Sequence, residues 1–228
     1  YICNMMNDLQ INISIQPSFY CKDPESTELG RNIVRVGIEL IDKLGYEAFT
    51  FKKLGAQIHS NESSIYRYFD SKHAFLVYLV NWYWSWIEYK LVFVTTNINS
   101  AEERLEKAIQ LLTEEVKEDS SFTFINEVLL NKIIITESAK AYYTIDVDKE
   151  NEKGLYKSYK RVVQRVCDLV LEVNPQFKYP HMLISTIIEG AHHQNYFSKH
   201  LPALTDVEEG KNNIVEFYLK LTKSVLSK

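Results

Sequence analysis

The chain has 228 residues, 46% of them hydrophobic and 25% charged, and a formal net charge of −4. That length buries a substantial core in one domain or two, and the composition is ordinary for a globular protein, which excludes disordered and fibrous classes. With only 7 Gly and 5 Pro, the chain has few places to turn, so long helices are expected.

No run of about 18 uncharged apolar residues occurs, so no transmembrane span is expected. The opening YICNMMNDLQ lacks a basic start followed by an apolar core, which argues against a secretory signal. Cys3, Cys21 and Cys167 have no metal-ligand spacing and read as free thiols in a reducing compartment, so a cytoplasmic location is expected. Charge is unevenly spread. Between residues 30 and 75, Arg31, Arg35, Lys43, Lys52, Lys53, Arg67 and Lys72 outnumber Glu39, Asp42, Glu47, Glu62 and Asp70, whereas the flanking sequence is net acidic. A nucleic-acid contact would have to lie in that block.

In chain order, Leu9, Ile11, Ile13 and Ile15 alternate with other residues and suggest one short strand. Only Lys22 is basic in this extension, too little for an arm that enters a DNA minor groove. Asp23-Pro24-Glu25 reads as a helix start, with a capping carboxylate and proline in the first turn. Ile33, Gly37, Leu40, Ile41 and Leu44 would form one face of that helix, which stops at Gly45. A second helix begins with Thr50 as its N-cap and buries Leu54 and Ile58. His59-Ser60 makes a tight turn, Asn61 caps a third helix, and Ile65, Tyr66 and Phe69 follow.

From near Ser71 one long helix runs through KHAFLVYLVNWYWSWIEYKLVFV. Further helices carry Leu105, Ile109, Leu112 and Val116, then Phe122 through Ile135, then Tyr159, Val163, Val166, Val170 and Val173. The last two carry Ile184, Ile187, Ile188 and Ala191, and Ile214, Phe217, Leu221 and Val225, with Asn174-Pro175 and Leu201-Pro202 as breaks. The expected fold is all-α: an extension over residues 1–23, a three-helix unit over 24–72, and a larger helical bundle over 73–228.

The chemistry concentrates in TFKKLGAQIHSNESSIYRYF, residues 50–69. Two short helices with a tight turn between them form a helix-turn-helix, whose second helix enters the major groove with its first residues against base edges. Glu62, Ser63 and Ser64 fill those positions, beside Asn61 and Arg67. Thr50, Lys53, Tyr66 and Lys72 are of types that bind phosphate oxygens, contacts that set register without reading sequence. Packing alone accounts for Ile58, Ile65 and Phe69, but not for this polar edge with lysines close by.

The stretch GYEAFTFKKLGAQIHSNESSIYRYFDSKHAFL resembles the signature of the TetR family of bacterial regulators: an aromatic after Gly45, Thr50 at the second helix start, Ile65-Tyr66-Arg67-Tyr68-Phe69, then Ser71-Lys72. The resemblance implies that Tyr66 and Lys72 clamp phosphates and that Thr50 contacts the DNA backbone. The family usually has glycine in the turn where this chain has His59, and positive φ at a non-glycine residue costs about 1–2 kcal/mol, although His tolerates it better than most.

The resemblance further implies a C-terminal domain that binds an effector and dimerises through its last two helices. The matching stripes are Ile184, Ile187, Ile188 and Ala191 with Ile214, Phe217, Tyr218 and Leu221, although stripes at this spacing serve an intrachain core equally well. On the long helix, Trp82, Trp86, Tyr89 and Phe93 share a face, while Tyr83 and Trp84 point elsewhere. Either these aromatics are ordinary core or they line a pocket for an apolar or planar effector, with Glu88, Glu127 and Asn131 as polar contacts. His181, His192, His193 and His200 form no i, i+4 chelate with a clear partner, and Glu189 with His193 is a common chance spacing, so no metal and no cofactor are expected. No nucleophile elbow, P-loop or zinc-protease motif occurs, so no enzyme is expected. The expected protein is a homodimeric regulator, by default a repressor, that binds a near-palindromic double-stranded operator and answers to a small molecule. The alternative is a helical ligand-binding protein without sequence-specific DNA readout.

Overall fold

The computed structural model describes residues 20–118, 124–208, 210–211 and 213–227, and every regular element among them is helical. The strand expected at residues 9–15, Cys3 and Phe122 lie outside the described residues. The chain forms two compact units, one of the described residues up to Ser85 with Val116–Tyr156, the other of Trp86–Glu115 with the described residues from Lys157. This division differs from a boundary at residue 72, because the segment from Val116 to Tyr156 clusters with the N-terminal helices.

In the first unit the expected helix start at Asp23-Pro24-Glu25 is corrected. Asp23 caps only a single 3-10 turn, Pro24–Ser26, and Thr27 then turns extended at φ −141° and ψ 153°. Thr27 caps α1, Glu28–Leu44, by accepting from the Gly30 N–H at 3.0 Å. Two capping residues four apart compete locally, and the second one wins because Pro24 is buried on the body of the unit. α1 buries Ile33, Val34, Ile38 and Ile41 almost completely. Leu40 is only half-buried and Leu44 is exposed, so the buried arc is rotated from the expected face.

α2 is Phe51–Gln57, α3 is Glu62–Tyr66 and α4 is Lys72–Thr95. α4 has apolar residues on all sides and is buried without a break from Phe75 through Trp84, as such a helix must be. Phe49, Phe69 and Phe75 form the aromatic centre, with Phe69 and Phe75 ring centroids 4.9 Å apart. α6, Glu127–Glu137, is capped by Asn126, whose Oδ1 accepts from the Leu129 N–H at 2.9 Å, and it packs on α1. Two short helices, α7 at Ala139–Tyr142 and α8 at Val147–Glu152, complete the unit.

The second unit holds α5, Ala101–Thr113; α9, Lys157–Val173; α10, Pro180–His200; and α11, Asn213–Leu226. α5 packs against all three others. Val162, Val166, Val170, Ile184, Ile187 and Ile188 supply its core, each with at most 1% exposure. No helix among the described residues is long and apolar enough to cross a membrane. Cys21 and Cys167 are free thiols, the first exposed and the second buried.

Candidate nucleic-acid interface

Residues 50–69 do form two short helices joined by a tight turn. Thr50 is extended and its hydroxyl oxygen accepts from the Lys53 N–H at 3.2 Å, which starts α2. Phe51, Leu54 and Gly55 face inward, whereas Lys52, Lys53 and Gln57 face solvent. The turn closes where the Ser60 N–H donates to the Gly55 carbonyl at 2.9 Å. A β-carbon at Gly55 would lie 2.7 Å from the Ser60 carbonyl oxygen, so only glycine permits this approach. His59 carries the positive φ of the turn, at 54°, as its position in the signature implies. Glycine is therefore absent at the residue with positive φ and present at the crowded one.

α3 is held by Asn61, whose Oδ1 accepts from both the Ser64 N–H and the Ser64 hydroxyl, each at 2.8 Å. Ile65 is fully buried and anchors the helix. Tyr66 is 48% exposed and stands edge-on to the Phe51 ring, with centroids 5.1 Å apart. Its hydroxyl donates weakly to Glu62 Oε1 at 3.4 Å. Ser63 and Arg67 are exposed, and Glu62 is half-buried. Beyond α3, the Tyr68 hydroxyl shares a hydrogen bond of 2.7 Å with Thr27, tying the base of the motif to the start of α1.

Two residues expected to contact phosphate are bonded to backbone carbonyls of this chain. Lys72 turns inward: its Nζ donates to the carbonyls of Tyr46, Glu47 and Phe49 at 3.0, 3.3 and 3.5 Å and sits 4.4 Å from the Tyr46 ring centroid. The loop between α1 and α2 presents a ring of carbonyls that a lysine at this position reaches first. Lys53 Nζ likewise donates to the Ala48 carbonyl at 2.7 Å, though Lys53 remains exposed. Gln57, which carries no signal in the sequence, is also exposed on α2.

Residues 33–79 match the model of the tetR family of bacterial regulatory proteins. Those residues form a TetR-type DNA-binding domain. Among solved structures it is similar to a tetR-family regulatory protein from Rhodococcus RHA1, at 12% identity, TM-score 0.59, 88% of this chain and 98% of that one. It is also similar to AibR in complex with isovaleryl coenzyme A and operator DNA, at 15% identity and TM-score 0.57, over 84% and 97% of the two chains. The superantigen PfiT matches at 14% identity and TM-score 0.55, over 90% and 96%. Identities this low establish the shared fold, and fold alone does not fix function. No protein of curated function matches the sequence.

The residues expected to line an effector pocket fall in both compact units of the TetR-type fold: Trp82, Glu127 and Asn131 in the first, Trp86, Tyr89 and Phe93 in the second. Trp82 and Trp86 are fully buried, Tyr89 is half-buried, and Phe93 is 73% exposed. Phe93 is thus corrected from pocket lining to surface, because burial of α4 ends at Leu91, with Val92 also exposed. Asn131 accepts from the Tyr83 hydroxyl at 2.8 Å, and Trp84 Nε1 donates to the Tyr142 hydroxyl at 2.9 Å, so the two aromatics set aside as pointing elsewhere fasten α4 within the first unit. Glu88 is committed to Arg161 and Arg165, at 2.8 and 2.9 Å. A cavity of about 430 Å³ lies in the second unit, where Leu105, Ile109, Val173, Leu219 and Leu226 line it beside the Lys223–Glu106 ion pair of 2.8 Å.

The expected dimer stripes are also corrected. Ile184, Ile187, Ile188 and Ala191 are buried within the chain, as are Ile214 and Tyr218. Of the expected residues, Phe217, 57% exposed, and half-buried Leu221 remain available on α11. Among the histidines, His192 is buried and its ring is pushed down to about 4, chiefly by burial and then by His193. His181 bonds Gln164 at 3.0 Å, while His193 and His200 lie against Phe197 and Tyr196.

Proposed function

We propose that this chain is a TetR-family transcription regulator that reads a near-palindromic operator as a homodimer and is released by a small apolar or aromatic effector. The observation that carries the reading is the exposed polar edge of α3, held by the Asn61 cap over a turn that closes only because residue 55 is glycine. A buried packing helix has no use for exposed Ser63, Tyr66 and Arg67 side by side. AibR, of the same fold, is bound to operator DNA and to isovaleryl coenzyme A, which supports both the DNA partner and an effector with an apolar part. The apolar cavity of the second unit supports the same effector class.

In this reading residues 24–72 are the reading head and residues 73–228 the effector and dimerisation region. Two heads sit about 34–36 Å apart on successive major grooves. Dimerisation uses the outer faces of α10 and α11, with exposed Phe217 and Met182 as apolar contacts, since the isoleucine stripe is spent inside the chain. Effector binding displaces α4, which is continuous from Lys72 onward, and weakens DNA binding by a coupling of about 1–3 kcal/mol. Repression and a cytoplasmic location are the family defaults.

The test is fluorescence anisotropy with the DNA upstream of the chain's own gene against scrambled DNA at several salt concentrations. A preference of about 10³-fold or more that weakens steeply with salt is expected. Equal weak binding to both, and no enrichment in a genome-wide selection of fragments, would instead favour a helical ligand-binding protein. That second reading has one observation behind it: the Lys53 and Lys72 ammonium groups are bonded to backbone carbonyls rather than left for phosphate.

A further inference from the structure

The reading edge of α3 is narrower than its sequence suggests, once its internal hydrogen bonds are counted. Asparagine reads adenine by using its oxygen and its amide together, but Asn61 Oδ1 already accepts two bonds from Ser64. The Ser64 proton is spent in the same pair. Ser63 is exposed and free, but a serine hydroxyl donates or accepts and so suits several bases. Arg67 caps the far end of the helix, about 140° around the axis from Glu62 and on the side of Ser63, and its guanidinium only donates. Glu62 is the one side chain of α3 that only accepts, being a carboxylate.

We propose that Glu62 is the base-discriminating residue of this chain and that it selects cytosine at one position of each half-site, through the exocyclic N4 amine in the major groove. The proposal rests on the DNA-reading function proposed above. A carboxylate entering the groove is repelled by phosphates, by guanine O6 and N7, and by thymine O4. Adenine offers an N6 amine but sets the N7 acceptor beside it. Cytosine alone offers an amine with no neighbouring acceptor on that edge, so only cytosine compensates the carboxylate for the water it loses. The Tyr66 hydroxyl lies 3.4 Å from Glu62 Oε1 and steers that oxygen, while Oε2 has no protein partner among the described residues.

The experiment is selection of bound duplexes from a random pool by the purified full-length protein, followed by anisotropy titrations with each of the four bases at the selected position. The wild-type protein should retain cytosine at one position per half-site, and bind that duplex about tenfold more tightly than duplexes with another base there. Glu62→Gln, which keeps the shape but adds a donor, should lose the cytosine preference and accept adenine at least equally. Glu62→Ala should lose discrimination at that position and bind scrambled DNA more tightly, the repulsion from phosphate having gone. In both variants the other positions of the consensus, the salt dependence of specific binding and the melting curve should stay as in the wild type, since the one hydrogen bond to the carboxylate among the described residues is the weak one from Tyr66. An unchanged consensus in both variants overturns the assignment of Glu62 and leaves the regulator reading standing. No consensus from the wild-type protein overturns both.

Discussion

Lys72 offers a perturbation on which two accounts of the reading head give opposite answers. The family resemblance makes it a phosphate clamp, whereas its ammonium group is bonded to the Tyr46, Glu47 and Phe49 carbonyls at 3.0, 3.3 and 3.5 Å and lies 4.4 Å from the Tyr46 ring centroid. Replacing it with Met keeps the aliphatic stem and removes the charge. A charge-assisted hydrogen bond contributes about 1.5–3 kcal/mol when well formed, and only the first of the three has good length. A cation over an aromatic ring adds about 0.5–1 kcal/mol at an exposed site. Discounted for a half-buried group, the loss comes to about 2 kcal/mol, or a fall in Tm of about 4–8 °C for a chain of this size. Thermal unfolding of Lys72→Met followed by circular dichroism measures it directly, and anisotropy titrations at several salt concentrations measure the other account. A phosphate clamp, once removed, lowers the steepness of log K against log salt by about 0.9 while leaving Tm alone. An unchanged Tm together with that lower slope would refute the structural role argued for Lys72.

Asn61→Ala should cost about 1 kcal/mol or somewhat more, because α3 has five residues and no length with which to hold itself without its cap; Asn61→Ser should recover the stability, and melting curves of the two variants decide it. A β-carbon at Gly37 would lie 2.4 Å from the tip of the fully buried Phe75 ring, so Gly37→Ala should destabilise by about 1–3 kcal/mol, and Phe75→Leu in the same chain should relieve part of that loss in denaturant titrations. Burial first, then the charge of Asp23, raises the Glu25 carboxyl to about 7, against the lowering effect of hydrogen bonds from Tyr78 and Trp82. Its folded value lies above its unfolded one, so its contribution is complete below about pH 4.5 and is lost as pH rises through 7. Glu25→Gln should therefore gain on the wild type across that window, and parallel stability curves for the two proteins would count against the burial of this carboxyl.

The parts legible in the sequence are those decided by neighbours in the chain. Thr50 and Asn61 are capping residues placed one turn before buried apolar positions, and both cap as their types and spacing require. The positive φ of His59 follows from its place in the turn. What remained hidden depends on remote groups. Asp23 and Thr27 are both good caps, and local pattern cannot choose between them. The direction of Lys72 is set by three carbonyls more than twenty residues earlier. Periodicity shows that Ile184, Ile187, Ile188 and Ala191 are buried, but not whether this chain or a second copy covers them. The Phe93 stripe continues past the point where packing on α4 ends. α7 and α8 are too short to leave a periodic signature.

If Lys72 serves structure rather than phosphate, the loop it holds acquires a role of its own. Tyr46 lies in that loop between α1 and α2, and its backbone N–H donates to Glu137 at the end of α6, at 3.3 Å. Lys140 of α7 bonds Glu137 at 2.6 Å and Glu47 at 3.0 Å, and its ammonium group also faces the Tyr46 ring, 5.5 Å from the centroid. The loop is therefore fastened twice, by the first residue of α4 and by the junction of α6 and α7, all within the first compact unit. Tyr46 thus joins the end of α6 to the loop before α2 by contacts that do not run along α4. These pairs are partly exposed, with the Lys140 side chain at 39% and that of Glu47 at 78%, so each contributes little to stability. A fastening of that strength positions α2 in one state and costs little to release, which is what the proposed regulator, leaving DNA on a modest coupling energy, would require.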